Sequence, residues 1–441
     1  MQCEHLGIQY ALTHHESMQL RKTLLLYSFA ACWLSAAHSA FATGFALPDQ
    51  DAFAVGRGMA FVATADNPSA IFYNPAGISQ LEGNNVRFGA YAIHMDAGFV
   101  PPQGGPKYHS DKHNHLVPQF FYTWSPENSD LSLGLGLYSP FGLSSRWPQE
   151  TGFRTVATEG SLRSYNINPV VSWQVAENFS VAAGAVLNYA EVDLRQGLIW
   201  PSQDLDLFKF KGDGWSAGYN LGLLWRVHDK VSLGANFRST TEVNMKGYTE
   251  YYNSFPFSYG PFNVPAFPPQ QVGADTDFRF PLKAVLGISY RPTPQWNLEF
   301  NADYTAWNQL DALAIRQQRG LGALIPQQVN LPLYWDSSWY YEFGVTRYFA
   351  NGWHVSFGYI FNENSVPDAN YTPLVADLDR HFVSAGIGFH RKQWTADLAY
   401  EFGYGPNHSV AGSRYSAAFQ TADGTYDFIS HAVALSVGLR F

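Results

Sequence analysis

From Trp215 to Phe237 the chain alternates. Trp215, Ala217, Tyr219, Leu221, Leu223, Trp225 and Val227 share one parity, and Ser216, Gly218, Asn220, Gly222, Leu224 and Arg226 the other. After the turn at His228-Asp229-Lys230, Val231, Leu233, Ala235 and Phe237 resume the apolar row against Ser232, Gly234, Asn236 and Arg238. Successive side chains of a strand point to opposite faces, so the segment predicts a hairpin with one greasy and one wet surface. Each arm is as long as the about ten residues that carry a tilted strand across a bilayer, and Trp215, Trp225 and Phe237 fall where aromatic girdles sit. A single hairpin of this kind also fits a soluble sandwich. Its repetition decides.

The pattern predicts fourteen strands, at 84–97, 115–125, 130–141, 161–176, 179–195, 213–227, 230–247, 277–291, 295–307, 337–349, 352–362, 380–390, 393–405 and 429–441. Rows such as Leu131, Leu133, Leu135 and Leu137, or Phe278, Phe280, Leu282, Ala284, Leu286, Ile288 and Tyr290, are each read as one apolar face. Short turns at 126–129, 177–178, 228–229, 292–294, 350–351 and 391–392 alternate with long connections. Short periplasmic turns and long outer loops mark a bacterial outer-membrane barrel, and an even strand number closes the sheet without an edge in lipid. The expected fold class is all-β, a 14-stranded antiparallel transmembrane β-barrel over residues 84–441.

Composition agrees. The 441 residues are 16% aromatic and only 14% charged, with 38 Gly. No run approaches the roughly 18 apolar residues of a membrane helix. Residues 43–83 are small, polar and rich in Gly and Ala, without sustained alternation. The net charge of −9 argues against nucleic acid as a partner.

The mature chain resembles the FadL family of outer-membrane transporters for long-chain fatty acids and other hydrophobic molecules. The resemblance rests on Gly44-Phe45, Gly56-Arg57 and Asn74-Pro75-Ala76, on Tyr304-Thr305-Ala306-Trp307-Asn308-Gln309, and on Ser365-Val366-Pro367 with Asp379-Arg380 and Ser384-Ala385-Gly386. It implies that residues 43–83 are an N-terminal hatch plugging the lumen, with Gly56, Asn74, Pro75 and Ala76 as its motif. It also implies a kinked third strand that opens the wall sideways. Here that strand runs into Ser139-Pro140-Phe141-Gly142. Pro140 removes a ladder donor and Gly142 relaxes the backbone, which fits a lateral-opening kink or an ordinary strand end.

A fatty acid needs apolar walls and one or two convergent donors. The segment 251–269 offers Tyr251, Phe255, Phe257, Phe262 and Phe267 stiffened by five prolines, and it resembles the family's ligand-capturing fourth outer loop. The connection at 196–212 is short for the groove's other wall. Phe45 is expected beside a lumen pocket. The resemblance also implies basic wall residues that hold the carboxylate. Arg195 falls near one such position but one residue out of register, which predicts the opposite face. Asp336 stands at the other, so either Lys283, Arg380 or Arg57 substitutes or the ligand is uncharged, as an aromatic hydrocarbon is.

Other motifs carry less. Gly214-Trp215-Ser216-Ala217-Gly218 spells a nucleophile elbow, but that motif needs a strand, a sharp turn and a helix, and here it lies within a strand. His109, Asp111, His113 and His115 share a polar outer loop without strict metal-ligand spacing. The expectation is therefore a passive, hatch-gated channel, neither an enzyme nor cofactor-dependent, monomeric, with lipid around it. Phe441 resembles the terminal aromatic recognised by barrel-assembly machinery. A general diffusion porin and a barrel hydrolase are the rival classes.

The one sustained apolar run, Thr23 to Ala36, follows Arg21-Lys22 and precedes Ala40-Phe41-Ala42, as in a secretory signal cleaved before Thr43. Residues 1–17 add nothing such a signal needs, which places the translation start at Met18. Cys3 and Cys32 both lie in the removed segment, leaving no thiols for an oxidising periplasm. Mass spectrometry is expected to find a precursor beginning at Met18 and a mature chain beginning at Thr43. A precursor carrying residues 1–17 contradicts this reading.

Overall fold

The computed structural model describes residues 44–111, 114–198, 205–259, 262–320, 325–414 and 420–441. The signal sequence, its cleavage site and the start at Met18 lie outside these residues.

Fourteen strands form one antiparallel barrel. They are β1 (Gly83–Val100), β2 (Asn114–Ser125), β3 (Leu131–Tyr138, resumed at Gly142–Arg146), β4 (Glu159–Ala176), β5 (Phe179–Gln196), β6 (Asp206–His228) and β7 (Val231–Arg238 and Thr241–Asn253). There follow β8 (Phe267–Phe280 and Lys283–Tyr290), β9 (Trp296–Thr305 and Ala312–Gln317), β10 (Gln328–Pro332 and Ser338–Tyr348), β11 (Trp353–Asn362), β12 (Arg380–Arg391), β13 (Trp394–Val410) and β14 (Gly424–Arg440). Each pairs with the next, and β14 returns to β1 in unbroken register from Asn85 with Arg440 to Val100 with Thr425. Closure leaves no free edge along that seam.

The outer surface is the predicted greasy row. Leu133, Leu187, Leu221, Leu286, Ile387 and Leu435 are exposed on it. Trp173, Trp225, Trp296, Trp353 and Trp394 ring the end with the short turns, and Tyr165, Trp215, Trp339 and Tyr404 the other. Two such bands around an aliphatic belt are what a bilayer with two interfaces selects.

Several strands run further outward than the sequence pattern predicts, and their sidedness inverts there. In β6, Phe208 and Phe210 point inward while Lys209 and Lys211 face away. Lipid no longer surrounds these residues, so water takes the outer face and apolar groups line the lumen. The row Phe278 to Tyr290 needs a correction for the same reason. Phe278 and Phe280 are buried inside, whereas Leu286, Ile288 and Tyr290 are exposed outside. Across the break at Pro281-Leu282 the in/out alternation shifts by one and exchanges the two faces, although the pairing with β7 keeps its register from Thr241 with Phe280 to Arg238 with Lys283. The neighbouring strand β7 makes the same exchange at Ser239-Thr240.

Residues 44–82 fill the lumen as the hatch. Their short helices are α1 (Ala52–Val55), capped by Asp51 accepting from the Phe53 N–H at 3.0 Å, and α2 (Ala70–Tyr73). Asn74 and Pro75 start a 3₁₀ turn, Pro75–Gln80, with the Asn74 side chain accepting from the Ala76 N–H. The same side chain donates to the carbonyls of Val62 (2.8 Å) and Leu223 (2.9 Å), tying the hatch to β6. Gly56 and Gly386 meet face to face: a Cβ on Gly56 would lie 2.8 Å from the Gly386 Cα. Two motif fragments far apart in the chain are therefore one contact, and only glycine fits on either side.

Candidate functional site

Above the hatch lies an apolar cavity of about 320 Å³, within the range of small-molecule pockets. Phe45, Phe278 and Trp335 line it from below and Leu162, Val192, Phe208, Leu313, Leu331 and Leu374 from the wall and loops. Phe45 is 5% exposed and packs edge-on to Trp307 at a centroid distance of 4.6 Å, with Phe278, Trp335 and Phe141 within 5.6 to 6.0 Å. Its neighbour Gly44 has φ +53° and donates its N–H to Asp377 at 2.9 Å. A Cβ there would come 2.8 Å from Trp335 and 3.1 Å from Trp307. The Gly44-Phe45 pair is thus caged by indole rings.

A second space, of about 540 Å³, is a notch in the wall beside the break in β3. The segment Asn114–Gln119 pairs with β1 but has no partner on β3, whose pairing with β2 begins at Phe120. Pro118 sits on this open edge, where its missing N–H is no loss. On the other side of the gap the start of the hatch pairs with the break itself: the Leu47 N–H donates to the Pro140 carbonyl (2.8 Å), the Gly142 N–H to the Phe45 carbonyl (3.0 Å), and Ala46 pairs with Phe141. Gly142 leaves room for Leu47, which a Cβ would meet at 2.7 Å. Leu143 and Leu162 line both the cavity and the notch, so they form the partition between them.

The predicted cations are mostly engaged elsewhere. Arg57 is fully buried and bonded to Asn297 and Glu299 between hatch and wall, away from the cavity. Lys283 pairs with Asp303 at 2.7 Å, and Arg380 stacks 4.2 Å over the Phe428 ring with Asp377 3.7 Å away. Arg195 borders the cavity, yet its guanidinium donates to Asp193 (2.9 Å) and Glu159 (3.0 Å). Arg414, which no sequence pattern singles out, stands at the same cavity, exposed, with no side-chain partner among the described residues. Asp336 is exposed and does not line the cavity. The 251–269 segment is largely strand: Tyr251 is buried in β7, Phe267 opens β8, and between them runs a small hairpin, Phe257–Tyr259 with Phe262–Val264. Phe255 is half-buried. The expected contacts of Phe257 and Phe262 lie outside the described side chains. Ser216 sits mid-strand in β6 with no helix after it, so no nucleophile elbow forms. In the outer loop His109 pairs with Asp96 at 2.9 Å, and His113 lies outside the described residues.

The outer-membrane transport family described as "Outer membrane protein transport protein (OMPP1/FadL/TodX)" matches residues 33–441. The chain belongs to this family. Among its relatives, the long-chain fatty acid transport protein of Salmonella typhi is 22% identical over 432 residues, covering 91% of this chain and 94% of that one. The 47 kDa outer membrane protein of Pasteurella multocida is 23% identical, covering 88% and 92%. The crystal structure of a Pseudomonas aeruginosa FadL homologue superposes with a TM-score of 0.76 at 18% identity, over 90% of this chain and 100% of that one. The Pseudomonas putida toluene transporter TodX gives 0.70 at 16%, over 92% and 100%. As a member of the FadL family, the protein is an outer-membrane transport barrel.

One hatch carboxyl makes the plug sensitive to acidity. Asp49 is buried against Glu401, Tyr91 and, further off, Lys283, and loss of hydration pushes it from 3.8 up to about 7. The docked hatch therefore holds a proton that a hydrated Asp49 releases near its ordinary value. Docking is firmest below that ordinary value and weakens as pH rises through about 7. Amide exchange of residues 49–55, corrected for intrinsic rates, is expected to show less protection at pH 8 than at pH 5.5, and Asp49→Asn to remove the difference. Equal or greater protection at pH 8 contradicts the assignment.

Proposed function

We propose that the protein is a passive outer-membrane channel for long-chain fatty acids, gated by the hatch and emptying sideways into the bilayer. The carrying observation is that the apolar cavity and the wall notch share Leu143 and Leu162, with Phe45 under one and Leu47 in the other. A ligand pressing on Phe45 displaces the segment that also closes the notch. Movement down a gradient needs neither nucleotide nor bond chemistry, so the channel is not an enzyme. Residues 1–42 direct export, 43–83 are the gate and 84–441 the wall. The outer row contacts lipid, Phe441 addresses the assembly machinery, and a closed barrel works as a monomer.

Within this reading Arg414 supplies the cation for a carboxylate head at the cavity mouth, while Arg57, Arg195, Lys283 and Arg380 hold structure through their acids. A second reading is specifically favoured by that engagement: with four of the five cations paired or stacked, an uncharged aromatic hydrocarbon fits the same walls. Uptake of labelled oleate and toluene by a transporter-deficient strain separates the two. Losing one charge-assisted contact of about 1.5 kcal/mol is about a tenfold effect, so Arg414→Ala is expected to cut saturable oleate uptake about tenfold and leave toluene unchanged. Toluene uptake without oleate uptake would favour the hydrocarbon, and uptake of neither overturns the proposal.

A further inference from the structure

At the barrel end that carries the short turns, three adjacent strands bring two imidazoles and a carboxylate together. His354 lies at the start of β11, His390 at the end of β12 and Asp397 near the start of β13. Gly388 is register partner to both His354 and Asp397, and its missing side chain creates the space. A Cβ on Gly388 would stand 2.1 Å from Oδ1 of Asp397 and 2.5 Å from Nε2 of His354.

Oδ1 of Asp397 is 3.0 Å from Nε2 of His354 and 3.5 Å from Nε2 of His390, and one ligand atom from each residue lies within 4.8 Å of the others. Ligands on a tetrahedral metal at about 2.0–2.1 Å stand about 3.3 Å apart, so these spacings need only small adjustment. His354 and Asp397 are 3% and 2% exposed. Despite its burial, Oδ1 meets no polar group other than these two imidazoles among the described residues. The other carboxylate oxygen accepts from Arg87 at 2.8 Å, and Arg87 also binds Asp51 of the hatch. Outer partners of this kind fix a ligating carboxylate and leave its free oxygen aimed inward.

We propose that His354, His390 and Asp397 form a site for one divalent transition-metal ion of the Zn²⁺ class. Two imidazoles and one carboxylate suit that class better than the hard cations, which take oxygen ligands. Three protein ligands leave a fourth position for water. His390, 39% exposed, offers the way in. The ion joins β11, β12 and β13 under Phe53 of α1, whose ring lies 5.1 Å from His354 and 6.1 Å from His390. It therefore braces the rim on which the hatch rests.

Co²⁺ is the probe, titrated into untagged, chelator-treated protein in detergent. The expected result is one Co²⁺ per chain with the visible d–d band of a four- or five-coordinate ion, displaced by equimolar Zn²⁺. His390→Asn is expected to weaken binding at least tenfold while keeping the heat-modifiable mobility of a folded barrel, and His109→Asn to leave it unchanged. In the wild type, Zn²⁺ is expected to protect His390 from diethyl pyrocarbonate, a readout that needs no variant. Absence of the band, equal binding by His390→Asn, loss only in His109→Asn, or failure of Zn²⁺ to shield His390 overturns the site. A simple imidazolium–carboxylate pair would give that outcome.

Discussion

Inside a bilayer every backbone N–H and C=O must find a partner, and where β3 breaks a strip of hatch supplies part of that pairing. Where β3 breaks at Ser139 to Phe141, residues Phe45 to Leu47 take up Pro140 and Gly142. An unpaired group in hydrocarbon costs several kcal/mol. The wall therefore holds the gate in place, and the gate completes the wall. Because Phe45 also floors the cavity, one three-residue segment borders both the proposed ligand space and the proposed exit.

The rest of the molecule sets up that coupling. Below the break the lumen is polar, and the hatch is fixed to it by Arg57 with Glu299, Arg87 with Asp51, and Asn74 with Leu223. Above it, the inversion of sidedness in β6, β7 and β8 turns phenylalanines inward and charges outward. A polar socket anchors a plug, and an apolar vestibule lies over it. Both arise from the same alternation with the surrounding solvent changed.

The repeat made the strands and the closure legible, because lipid enforces one parity over about ten residues at a time. It misled where a break shifted the alternation and exchanged the faces, as at Pro281-Leu282, and where strands left the bilayer and the polarity reversed, as at Phe208 to Lys211. Pro140 and Gly142 were readable as a break, but Pro118 on the facing edge lacked any local pattern. Arg414 was invisible as a candidate because nothing in its neighbourhood marks it; what distinguishes it is a place at the cavity with no side-chain partner among the described residues, which only folding reveals. Conversely, Arg57 looked like a ligand contact from its place in the motif, while its partners, Asn297 and Glu299, lie some 240 residues away.

The central claim is that the lumen is stopped while hydrophobic molecules leave through the wall, and single-channel recording beside an uptake assay tests it most directly. In planar bilayers the full-length protein should show no steady ion conductance, although cells expressing it take up labelled oleate. Deletion of residues 44–82 should then give a large, constant conductance. A steady open pore in the intact protein would contradict the account.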